Sequence, residues 1–137
     1  MVVDKGFRYQ KDFIISGAVI DAYASATGDF NPIHFDDDFA KKHNFKRRIA
    51  HGLLLGGFIS DVLGNHFPGN GTIYLSQNLR FKLPAYVEDV VSVVVEIVGL
   101  NQNNWLVLKT FCMNQDGVLI LDGDAMVIPP LDFIVKE

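Results

Sequence analysis

A chain of 137 residues is the length of about one domain, and 49% hydrophobic with 20% charged residues is the balance of a folded globular protein, not a disordered or fibrous one. A net charge of −4 argues against a general nucleic-acid binder, and the single cysteine, Cys112, excludes an internal disulfide or a cysteine-built zinc site. No apolar run reaches the ~18 residues of a membrane helix and no signal-like stretch opens the chain, so residues 1–137 are expected to form one cytoplasmic domain that spans no membrane.

Residues Phe7 to Phe13 are taken as an N-terminal strand. Gly17 to Ala26 predicts a helix, with Ser16 as N-cap and Gly28 just past the end. Gly28-Asp29-Phe30-Asn31-Pro32 is dense in turn formers, and Pro32 pushes Asn31 toward extended geometry. Asp36 to Lys42 predicts a short helix with acids at its start and lysines at its end, matching the helix dipole. The basic run Lys41, Lys42, Lys46, Arg47, Arg48 follows, suited to an anionic ligand or simply to a solvated turn.

Gly52 to Leu63 predicts a helix of another kind. Leu53, Leu54, Leu55, Phe58, Ile59, Val62 and Leu63 spread around its circumference, so it is expected to be buried on all sides. The second half of the chain supplies strands to wrap it. Ile73, Leu75, Gln77, Leu79, Phe81 and Leu83 alternate with polar residues, the period of a strand with one buried face. Val90 to Val98, Trp105 to Met113 and Val118 to Ile128 are further strands, the last two joined by a Gln115-Asp116-Gly117 hairpin turn. Consecutive antiparallel strands curled around one apolar helix give an α+β architecture, the hot-dog arrangement, and its open edges favour a dimer.

Two features carry chemistry. Asp29 and His34 flank a stiff Asn-Pro turn, a carboxylate and an imidazole able to hold one water between them and exchange protons with it. The alternative is a set of side-chain turns with a structural histidine. His51-Gly52 opens the apolar helix, where unpaired N–H groups and the positive dipole end suit a developing oxyanion, or where glycine merely allows tight packing. His43, His51 and His66 lack metal-ligand spacing, no phosphate loop or nucleotide fingerprint is present, and neither metal nor cofactor is expected.

Thr27-Gly28-Asp29-Phe30-Asn31-Pro32-Ile33-His34, then Phe39-Ala40, Phe45 and Ile49-Ala50-His51-Gly52, resembles the MaoC-like hydratases, and most closely their (R)-specific enoyl-CoA hydratases of the polyhydroxyalkanoate pathway. The likeness continues through Ser60, Leu63-Gly64, Pro68-Gly69, Ile73 to Gln77 and Phe81 to Pro84. It implies a hot-dog homodimer acting on an acyl-CoA thioester. Asp29 and His34 would be the catalytic pair and the Gly52 amide would polarise the thioester carbonyl. Asn31 would hold the turn, Ser60 would be a supporting polar contact, and Arg47 would bind substrate. Leu63 and Met126 would close the acyl tunnel and so favour short chains. At Lys46-Arg47-Arg48 the family commonly has Glu-Arg-Pro, so this loop is expected to be more basic and less rigid than usual.

The implied reaction is reversible syn hydration of a trans-2-enoyl-CoA to the (R)-3-hydroxyacyl-CoA. A 3-hydroxyacyl-thioester dehydratase serving an acyl-carrier protein is a close rival, since the basic run suits an acidic carrier too. A hot-dog thioesterase ranks lower: Asp61 is the one acid on the apolar helix and leaves the Asp29/His34 turn unexplained. A non-catalytic acyl-CoA sensor would need a partner domain.

Overall fold

The computed structural model describes residues 1–136. In chain order the elements are β1 (Val2–Asp4), β2 (Arg8–Ile14), α1 (Gly17–Thr27), a 3-10 turn (Pro32–His34), α2 (Asp37–Lys42), α3 (Gly52–Asp61), a π-helical turn (Val62–His66), β3 (Ile73–Phe81), β4 (Val90–Leu100), β5 (Leu106–Met113), β6 (Leu119–Ile128) and β7 (Ile134–Lys136). Five strands form an antiparallel sheet in the order β2-β4-β5-β6-β3, and β1 pairs with β7 in a small parallel ribbon.

The expected elements are present with ends moved by one or two residues. Caps set the helix boundaries. Ser16 accepts from the Val19 N–H, and Asp36 accepts from the Asp38 and Phe39 N–H groups, so Asp36 caps α2 instead of belonging to it.

The sheet curls over α3. Leu54, Leu55 and Ile59 are buried with Val91, Val93, Val95 and Ile97 of β4, Leu106 and Leu108 of β5 and Val127 of β6. Each such side chain contributes about 1.5–3 kcal/mol relative to exposure. The helix is not buried all round as its composition predicts: Leu53 is 61% exposed.

Strand β3 departs further from expectation. Leu75 sits in a bulge between the Tyr74–Val127 and Ser76–Met126 pairs. A bulge inserts one residue and reverses the alternation. Tyr74, Gln77, Leu79 and Phe81 therefore oppose buried residues of β6, while Ile73 and Leu75 do not share their face. Inward-facing Gln77 is satisfied: it donates to Thr110 Oγ1 at 2.8 Å and accepts from the Tyr74 hydroxyl. Its amide occupies the space beside Gly123, where a Cβ would meet Asn78 O at 2.1 Å and Gln77 Nε2 at 3.0 Å. At this edge strand Ile73, Leu75, Phe81 and Leu83 are exposed, so only the Gln77 and Leu79 part of the expected buried face is covered by this chain.

Candidate active site

The turn after α1 is built by side chains. Gly28 closes the helix in the left-handed region (φ 83°), its N–H donating to the Ala24 carbonyl at 2.7 Å. Asp29 Oδ1 then accepts from the Asn31 N–H at 3.3 Å, and Asn31 Oδ1 accepts from the Ile33 N–H at 3.2 Å. These two linked Asx turns, followed by Pro32 opening the 3-10 turn, deliver His34 beside Asp29. Asn31 thus holds the turn through its own side chain.

His34 is buried, and its Nδ1–H donates to the Ile49 carbonyl at 2.8 Å. A carbonyl can only accept, so the neutral ring carries its lone pair on Nε2. Burial lowers the His34 pKa below the ordinary 6.5; the adjacent His51 also lowers it, while the Ile49 hydrogen bond and the Asp29 charge oppose the shift. His34 is therefore a free base near neutral pH.

His51 completes the cluster. Asp29, His34 and His51 bring one side-chain N or O each within 4.8 Å of one another. They line a cavity of about 520 Å3 together with Gly52, Leu53, Tyr23 and the segment Phe81 to Ala85. The pocket joins the Asp29/His34 turn to the N-terminus of α3, where the first N–H groups have no intrahelical acceptor. Gly52 allows that close approach, since a Cβ there would sit 2.7 Å from the Phe81 ring.

The same three side chains are the trio of possible metal ligands among the described residues. The His34 and His51 rings, however, stack at 3.8 Å with 29° between their planes. One nitrogen of each ring is already engaged by a backbone carbonyl, which leaves a single nitrogen per ring for any ligand.

The remaining expected site residues fall elsewhere in the single chain. Arg47 is not on the cavity wall. Its guanidinium lies 3.6 Å from Asp89 Oδ1, donates to the Val87 carbonyl at 3.3 Å and covers the Tyr86 ring. Arg48 lies against the start of α1, where a Cβ on Gly17 would meet its guanidinium, while Arg47 serves as a structural tie. Lys41, Lys42 and Lys46 remain exposed. Leu63 is a core residue, 1% exposed, and Ser60 is exposed on α3 outside the cavity lining. Met126 lines a separate depression with Ser76 and Gln77. Asp61 is held by Lys11 at 2.7 Å and Asn65 at 2.8 Å, and the Lys11 hydrogen bond chiefly lowers its pKa.

Tyr23 is a site neighbour that carries no expectation from the sequence, and His51 figures there only as part of the His51-Gly52 helix start, with no role of its own. The available signal for His51 was its place immediately before Gly52. Tyr23 had only its position four residues before the end of α1.

Known proteins resemble this chain in sequence and in fold. The family model of the MaoC like domain matches residues 2–110. The chain is 42% identical over 124 residues to the (R)-specific enoyl-CoA hydratase of Aeromonas caviae, covering 90% of this chain and 91% of that protein. It is 34% identical over 129 residues to the mitochondrial 3-hydroxyacyl-[acyl-carrier-protein] dehydratase of Arabidopsis thaliana, covering 90% and 76%. The unliganded R-hydratase PhaJ1 from Pseudomonas aeruginosa superposes with a TM-score of 0.87 at 36% identity, covering 92% of this chain and 81% of that one.

Proposed function

This chain belongs to the MaoC-like domain family, and from that premise we propose that it is an (R)-specific enoyl-CoA hydratase. The reaction is reversible syn addition of water to a trans-2-enoyl-CoA. The observation that carries this reading is the Asp29 carboxylate and the His34 imidazole, one polar atom of each within 4.8 Å of the other, in one pocket with the α3 N-terminus.

The chemistry needs three things. Water must lose a proton as its oxygen bonds to C3. The C2=C3 electron pair must move onto the thioester carbonyl. A proton must then reach C2. Asp29 and His34 hold one water and take its proton as a unit. The Gly52 N–H meets the enolate oxygen as charge develops there. The proton returns to C2 from the face the water attacked, because the pair that holds it lies on that face. Dehydration is the same path reversed.

We further propose a cytoplasmic homodimer. A second copy covering β3 would bury the apolar side chains of Ile73, Leu75 and Leu83 and remove an open sheet edge. A buried, unpaired Cys112 suits a reducing compartment. The acyl-carrier-protein dehydratase remains the second reading, favoured by the exposed lysines 41, 42 and 46 and by the plant relative. The thioesterase reading loses its base, since Asp61 is committed to Lys11 and Asn65.

The test is loss of enoyl-thioester absorbance on mixing with crotonyl-CoA. The product is read in parallel with (R)- and (S)-specific 3-hydroxyacyl-CoA dehydrogenases, and free thiol is measured. Fast loss with (R)-product and no free CoA supports the proposal. Free CoA or (S)-product contradicts it.

A further inference from the structure

His51 is among the most enclosed polar side chains near the pocket, 2% exposed. Its Nε2–H donates to the backbone carbonyl of Asp29 at 2.9 Å. Its ring stacks on His34 at 3.8 Å, meets Tyr23 of α1 at 4.6 Å, and presents an edge to Phe35 at 6.2 Å. As the N-cap residue of α3 it directly precedes Gly52. One side chain therefore touches the backbone that carries Asp29, the ring of His34 and the start of the helix that supplies the oxyanion donor.

We propose that His51 is the positioning residue of this site: its Nε2–H bond to the Asp29 carbonyl, more than its stack on His34, fixes the carboxylate, the imidazole and the Gly52 amide at one spacing. The inference rests on the hydratase reading for what is being positioned.

Its chemistry separates it from the acid–base pair. The carbonyl of Asp29 can only accept, so Nε2 carries the hydrogen and Nδ1 carries the lone pair. Nδ1 is buried without a partner. Geometry is its contribution, and misplacement of reacting groups by about 1 Å costs on the order of 10²-fold in rate.

Two substitutions separate the donor from the ring. His51→Gln places an amide N–H near the Nε2 position and gives up the stack. His51→Phe keeps a stacked ring and has no donor. The expected result is a kcat on crotonyl-CoA within ~5-fold of the parent for His51→Gln, and ~10²-fold lower for His51→Phe. KM changes less than ~3-fold in both, because ground-state binding is untouched. His51→Phe at the parent rate overturns the proposal, as does His51→Gln impaired as deeply as His51→Phe with unchanged melting temperature. If His51→Phe does not fold, His51→Gln decides alone: a kcat loss approaching ~10²-fold overturns it.

A second readout is independent of turnover. The buried Nε2–H should give a slowly exchanging imidazole resonance in 15N spectra of the parent protein, absent in His51→Gln. A parent protein inactive on enoyl-CoA but showing this resonance overturns the hydratase reading and keeps the positioning geometry. An active parent with no protected ring N–H overturns the positioning role alone.

Discussion

Replacing Asp29 by Asn and His34 by Gln, singly and together, asks whether the two groups act as one. A general acid–base group contributes about 10²–10⁴-fold, or ~2.7–5.4 kcal/mol of barrier at ~1.36 kcal/mol per decade. Independent groups would multiply, giving ~10⁴–10⁸-fold for the double variant. The two functional groups approach within 4.8 Å, the span of one bridging water. They share that water, and the double variant is expected to fall within ~10-fold of the worse single one. Stability sets the control. Asp29→Asn keeps an Oδ1 acceptor for the Asn31 N–H at an exposed position and should cost under ~0.5 kcal/mol. His34→Gln disturbs the 2.8 Å bond to the Ile49 carbonyl, a cost of about 1 kcal/mol, or ~3–5 °C in melting temperature. The assay is kcat on crotonyl-CoA beside a circular-dichroism melt of each variant. Parent-like turnover in either single variant, or a double variant that loses the full product, refutes the shared-water account.

Because burial lowers the His34 pKa, the acid limb of kcat/KM is expected below pH 6.5, and a limb above that value contradicts the free-base assignment. The same shift has a sign for stability. Between the folded pKa and 6.5 the unfolded chain binds more protons, so this contribution is present above 6.5 and is lost as pH falls through the folded value, readable as a steeper melting-temperature decline in the parent than in His34→Gln. Burial pushes the Cys112 thiol up to about 12, so it should react with a thiol reagent at pH 8 no faster than the protein unfolds; fast labelling of native protein would contradict its place in the core. Glutamate at both Ile73 and Leu75 should convert a dimer to a monomer in light scattering, and an unchanged mass would put the contact elsewhere.

The parts legible in the sequence are those where local chemistry and global packing agree. Ser16, Gly28 and Asp36 mark helix ends because capping is read from one or two residues. Asp29, His34 and Gly52 were brought together by the resemblance, and the Asx turns at Asp29 and Asn31 supply the local physical reason. The face of β3 was misread because strict alternation hides a bulge at Leu75, and because a sequence does not tell whether an apolar face is covered by its own chain or by another. The ribbon of β1 and β7 has three residues per strand, too few for a period to show. Arg47 illustrates the opposite error: a basic run suggests an anion, yet the partner is Asp89, 42 positions away in the chain, a pairing no local pattern announces.

The central claim is that one water is split and delivered on one face of the substrate. Hydrating crotonyl-CoA in D2O and reading the coupling between the C2 and C3 protons of the product tests this directly. The account predicts a single 3R product with deuterium at C2 on the face that received the hydroxyl. A 3S product, anti placement of deuterium, or a mixture of diastereomers at early conversion would contradict it.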